Sequence, residues 1–163
     1  MQTNGEDAMN FDFNLIWKWT MSLLPPKMDS TEAKAMVLAI GFQESKFEHR
    51  RQMNDGPARG YWQFEQGGGV RGVLNHPATE RYIKVFCQKF DIPWYPLECW
   101  NAIEYNDVLA CAFARLLLLT APWSLPGPTA VEEGWKQYLW CWRPGMPRRD
   151  DWPDNFIKAW QLV

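Results

Sequence analysis

Long apolar runs are missing from this 163-residue chain: nothing approaches the roughly 18 consecutive apolar residues of a bilayer span, and residues 116–119 read as the end of a core helix. A basic excess is missing too. With 17 Lys and Arg against 19 Asp and Glu the formal charge is -2, which argues against nucleic acid as the main partner. Histidine is scarce, and His49 and His76 stand far apart with no paired cysteine beside either, so no metal site is expected. The four cysteines, Cys87, Cys99, Cys111 and Cys141, are widely spaced. Cys87, Cys111 and Cys141 fall in helical apolar stripes and read as reduced core thiols, although spacing alone also allows two disulfides. Cys87 or Cys99 as a nucleophile would need a histidine base, for which there is no local signature. The glycine run Gly67-Gly68-Gly69-Val70-Arg71-Gly72 lacks both a preceding buried strand and a following Gly-Lys-Ser/Thr, which removes the phosphate-loop reading and leaves no cofactor expected. Residues 1–14 are polar and acidic, without the pattern of a secretory signal. No repeat or low-complexity tract occurs.

What the chain has in quantity is aromatic surface. Eleven tryptophans and five tyrosines in a chain with 47% hydrophobic residues suit one domain, 1–163, with a substantial core and an aromatic cleft. Indole faces pack on pyranose rings, so a polysaccharide partner fits, with three or four of Tyr61, Trp62, Trp94, Trp123, Trp140 and Trp142 expected to face it.

The periodicity predicts a mainly α chain. A helix is expected over 13–24, ended by Pro25-Pro26, and a second from Asp29 or Ser30 to Glu44, with Asp29 and Glu32 as capping partners. Residues 48–72 read as a glycine-rich loop region with at most a short strand at 61–64. Further helices are expected over 78–90, burying Tyr82, Phe86 and Phe90, and over 103–119. Thr129 with Glu132 reads as a capping box opening a helix through Trp140, and Asp151 with Pro153 opens the last helix, ending near Leu162. The chain divides into an N-terminal extension and helix (1–28), a core (29–120) and C-terminal helices (121–163).

One residue breaks the apolar pattern. Ala33, Met36, Val37 and Ile40 recur at helical spacing, and Glu44 continues their stripe where another apolar residue belongs. Burial disfavours the carboxylate, as does the negative end of the helix dipole, and a carboxyl that keeps its proton near neutral pH is a general acid. The structural alternative is that Glu44 pairs with Arg50 or Arg51 and ties down the loop.

Glu44-Ser45-Lys46-Phe47, followed by Ala58-Arg59-Gly60-Tyr61-Trp62-Gln63, resembles the paired motifs of soluble lytic transglycosylases and goose-type lysozymes. Asn106 with Leu109, Ala110 and Leu116 resembles the helix that packs behind the catalytic glutamate there, so the likeness spans roughly residues 30–120. It implies a lysozyme-like helical domain with a glycine-rich active-site loop. It also implies that Glu44 protonates the leaving oxygen when the β-1,4 linkage between N-acetylmuramic acid and N-acetylglucosamine of peptidoglycan is cut. Ser45 would steady the helix end or bind substrate, and Gln63 would line the cleft; Tyr61-Trp62, where the family usually has Leu-Met, would offer a broader aromatic platform or a differently packed core, and Phe64 is a further substrate-binding candidate. The family's late tyrosine motif is absent, and Tyr138 is its substitute by chain order.

The product depends on a second carboxylate. An inverting hydrolase holds one at about 6.5–9.5 Å and a retaining one at about 5–5.5 Å. Transglycosylases need neither, since the sugar's own 6-hydroxyl attacks. Glu65 and Asp55 are the candidates, and Asp55-Gly56 is also an ordinary turn pair. The competing expectation is a non-catalytic glycan-binding or virion structural module on the same core. With no export signal in view, a phage product is expected, from virion or host cytoplasm, acting on the periplasmic wall with virion or tail partners.

Overall fold

The computed structural model describes residues 12–163, and over them eight α-helices follow one another: α1 (Phe13–Met21), α2 (Thr31–Ser45), α3 (Arg71–Asn75), α4 (Glu80–Lys89), α5 (Pro96–Ile103), α6 (Asp107–Leu119), α7 (Val131–Trp142) and α8 (Trp152–Gln161). The reading of residues 1–14 as a polar start falls, up to residue 11, outside the described residues.

Short polar side chains set three of the helix starts by accepting from amides that the first turn leaves unpaired. Leu15 N–H donates to Asp12 Oδ1 at 3.1 Å, Ala33 N–H to Ser30 Oγ at 3.1 Å, and Leu109 N–H to Asn106 Oδ1 at 3.0 Å. The cap of α2 is therefore Ser30; Asp29 instead accepts from Trp17 Nε1 at 2.9 Å. The Asn106 cap likewise starts the helix expected over 103–119 only at Asp107, as α6, and the separate α5 before it was not expected.

Other boundaries shift for identifiable reasons. α1 stops at Met21, short of the prolines, in a tight turn where Leu23 and Leu24 amides reach back only three residues. The inward face of α4 is Ile83, Phe86 and Cys87, at i, i+3 and i+4, while Tyr82 and Phe90 are only half-buried. No capping box forms at 129–132: α7 starts at Val131 without a side-chain cap, and Glu132 pairs with Arg149. Pro153 does lie in the first turn of α8, as expected, though Asp151 accepts from Arg148 Nε at 3.1 Å and does not cap. At 61–64 there is a tight turn, bordered by isolated bridges Arg51–Arg59 and Arg59–Phe64; among the described residues no strand forms.

One continuous apolar core draws side chains from every helix. α2 and α6 are its two inner rods, buried on nearly all sides; α8 packs along α2 and α1 along α6. All four cysteines are buried free thiols, with Cys87 and Cys99 Sγ atoms 3.7 Å apart. No helix among the described residues is long and apolar enough to cross a membrane.

The loop after α2 is held from outside by ion pairs. Arg50 makes a two-pronged pair with Asp107 at the start of α6 and donates to Glu104 O at 3.0 Å, while Arg51 pairs with Glu104. Both arginines are thereby engaged away from Glu44.

Candidate active site

Glu44 stands on the last turn of α2, one helical turn beyond Gly41. After Ser45 the chain reverses through Lys46 and Phe47, both with left-handed φ (53° and 56°), and folds the Phe47 ring back onto the helix. Gly41 makes that return possible, because a Cβ there would lie 2.0 Å from the Phe47 ring. Phe47 then meets Phe42, Tyr61 and Trp62 edge-on, at centroid separations of 5.1, 5.6 and 5.5 Å. The Ser45 hydroxyl joins the two motifs: it donates to Tyr61 O at 2.6 Å and accepts from Phe47 N–H at 3.1 Å. Ser45 is buried, and its hydroxyl acts as a strut between the two motifs.

Tyr138 of α7 donates its hydroxyl to Glu44 Oε1 at 2.6 Å. Its ring is clamped by Trp152, stacked at 5.4 Å and 7°, and by Trp135 at 5.3 Å. Burial drives the Glu44 carboxyl up from an ordinary 4.5 to about 7. The Tyr138 hydrogen bond and the positive charge of Arg148 oppose that rise, and the negative charge of Glu65 adds to it. The same burial and the Glu44 charge push the Tyr138 phenol far above its usual range, so it stays a donor at any physiological pH.

Arg148 is placed by a clasp between the C-terminal segment and α2. Its guanidinium donates to Gln43 O, Gln43 Nε2 donates back to Arg148 O at 2.9 Å, and Asn155 Nδ2 donates to Gln43 Oε1 at 2.8 Å. Neighbouring residues on α2 thus have different tasks: Gln43 binds the C-terminal arm and Glu44 holds the proton.

Two adjoining recesses share Glu65, Gly67 and Gly68 on their walls. The first, of about 400 Å³, also takes in Gln63, Phe64, Trp140 and Trp142. The second adds Asp55, Arg59 and Trp100. Gln63 is fixed in a left-handed turn (φ 52°), with both its backbone and side-chain N–H groups on Gly60 O. Glu65 is exposed where the recesses meet and is the second carboxylate whose charge reaches Glu44. Asp55 faces the second recess with Glu65 and is not among the groups that shift Glu44.

The aromatic platform differs from the expected one. Trp62 is fully buried, donates from Nε1 to Val37 O at 2.8 Å and belongs to the core, because its indole fills the space between α2 and the Phe47 ring. Tyr61 is also inside, beneath the Arg50 guanidinium at 4.3 Å. Phe64, buried in the core against Phe113 and Trp142, still forms part of the wall of the first recess. The accessible rings there are Trp140 and Trp142, with Trp123 edge-on to Trp140, and in the second recess Trp100, which donates from Nε1 to Pro57 O at 2.9 Å and carries Arg59 over its face at 4.7 Å. Sequence reasoning missed Trp100 and Arg148: one is a tryptophan among eleven, and the other sits about a hundred residues from the acid it faces.

Comparison of the chain with family models, with curated proteins and with solved structures finds no significant match. Among the described residues no cluster of His, Cys, Asp and Glu could hold a metal ion.

Proposed function

We propose that this chain is a glycosidase of lysozyme-like architecture that cuts the β-1,4 linkage between N-acetylmuramic acid and N-acetylglucosamine in peptidoglycan, with Glu44 as general acid and base. The observation that carries the reading is the Glu44 carboxyl, raised to about 7 by burial at the end of α2 and hydrogen-bonded by Tyr138. An acid in that range holds its proton at neutral pH and still releases it to a leaving glycosidic oxygen. The carboxylate left behind keeps the Tyr138 hydroxyl as a donor, which steadies its new charge.

The recesses either side of Glu65 give an extended strand somewhere to lie, with Trp140 and Trp142 in one and Trp100 in the other. In a hydrolytic route Glu65, exposed at their junction, is the proposed base that activates water; without its participation the sugar's 6-hydroxyl attacks and closes an anhydro ring. A phage-derived protein acting on the periplasmic wall is the biological setting proposed.

The test is incubation with purified peptidoglycan glycan strands and mass analysis of the ends. Cleavage that disappears in Glu44→Gln, with the fold unchanged, supports the proposal, and the ratio of reducing to 1,6-anhydro ends assigns the chemistry. Strands that bind but stay intact with the unaltered protein overturn it in favour of a glycan-binding module.

A further inference from the structure

Among the described residues Arg115, midway along the inner helix α6, is a buried cation that makes no ion pair. It is only 4% exposed, and its Nε donates to Met28 O at 2.9 Å. No acceptor among the described residues meets its two Nη groups. Burial accordingly lowers its pKa, with the charge of Asp29 as a partial offset. Asp29 itself is exposed and takes the Trp17 indole N–H.

The two Nη groups are not among the fully buried unpaired atoms of the described residues, so their open side keeps contact with water, which an anion there would replace. Here the unpaired side opens into a recess of about 440 Å³ beside Met28, Tyr82 and Leu119. Two further cations stand on its wall, Lys27 ahead of α2 and Arg81 at the start of α4, and among the described residues no acidic side chain does. Arg81 is held in place by Tyr82, whose ring lies 4.6 Å below it and whose hydroxyl accepts from Nη2 at 2.6 Å. Three positive side chains from three separate elements therefore converge on one space, the innermost of them with two free, planar donors.

We propose that this recess is a binding site for a phosphate group, with the Arg115 fork as its floor and Lys27 and Arg81 as its rim. Phosphate supplies several acceptor oxygens and up to two negative charges, which matches a planar guanidinium and two flanking cations better than a monovalent ion does. The site lies beside the start of α2 while Glu44 is near the end of that helix, so roughly 20 Å of rod separates them at about 1.5 Å per residue. It is a second site, independent of the glycosidase reading. The phosphate can belong to a free anion or to a lipid headgroup, and the recognition chemistry is the same.

Calorimetric titration of the full chain with inorganic phosphate at constant ionic strength tests this, run beside sedimentation with phosphatidylcholine vesicles containing phosphatidic acid. The expected result is saturable phosphate binding, weakened at least about tenfold in Lys27→Gln/Arg81→Gln and unaffected in Lys18→Gln/Lys89→Gln, which makes the same charge change elsewhere. Arg115→Lys, which keeps the charge and loses the fork, is expected to weaken binding similarly, with circular dichroism as the check on folding. Phosphate binding without vesicle retention assigns a free anion; retention that inorganic phosphate competes away assigns a headgroup; both support the site. No binding in either arm, or binding that Lys27→Gln/Arg81→Gln leaves unchanged, overturns it.

Discussion

At the scale of single residues, the protein carries a carboxyl whose proton is held more tightly folded than unfolded. The folded molecule binds an extra proton between pH 4.5 and about 7, so stability falls as pH rises through that window and levels off above it. At about 1.4 kcal/mol for each tenfold change in proton affinity, the penalty is on the order of 3 kcal/mol. Glu44→Gln cannot ionise and escapes it: relative to the unaltered protein, the variant gains stability between pH 4.5 and pH 8, read by denaturant unfolding at both ends, while cleavage drops about 10²–10⁴-fold. Two neighbours should move the alkaline limb of the activity profile in opposite directions. Tyr138→Phe removes a hydrogen bond that lowers the Glu44 pKa and shifts the limb to higher pH; Glu65→Gln removes a like charge and shifts it to lower pH. Profiles of kcat/KM for the two variants check both signs.

At the scale of elements, the reversal after α2 decides where Glu44 points. Ser45→Ala removes the hydroxyl that bridges Tyr61 O and Phe47 N–H and leaves both buried partners unmet, a loss of about 1–3 kcal/mol in unfolding free energy. Gly41→Ala is expected to cost about as much, since its methyl group displaces the Phe47 ring, with Phe47→Leu as the partial rescue to measure beside it. The glutamate at this corner was legible from residues alone, as a carboxyl on an apolar stripe, whereas the part of Gly41 was not, since only the return of Phe47 onto the helix gives it. Six of the helices were legible for the same reason, through the spacing of apolar residues; the short α3 and α5 were not. Boundaries were not. Asn106 could be read as a cap or as one more helical residue, and only its hydrogen bond to Leu109 decides; Thr129 and Glu132 have the letters of a capping box, yet Glu132 is drawn away by Arg149. Trp62 misled because a bulky ring beside a glycine turn looks the same in sequence whether it faces solvent or core, and the answer depends on Val37 O, 25 positions away.

At the scale of the whole molecule, the two recesses adjoin at Glu65, with Trp140 and Trp142 on the wall of one and Trp100 on the wall of the other. Trp100→Ala is expected to raise KM for glycan strands several-fold with little change in kcat, because it strips a binding face distant from the proton donor. Steady-state kinetics on strands of graded length measure it, since short strands that miss the second recess should lose nothing. The clasp between Gln43 and the segment holding Arg148 and Asn155 has a further consequence for the order of events in the molecule's life. Every group that seals or tunes Glu44 from this side, Tyr138 and Arg148 included, is translated about a hundred residues after it. A nascent chain therefore exposes Glu44 as an ordinary carboxyl on the ribosome, and its raised pKa arrives only when the C-terminal segment docks.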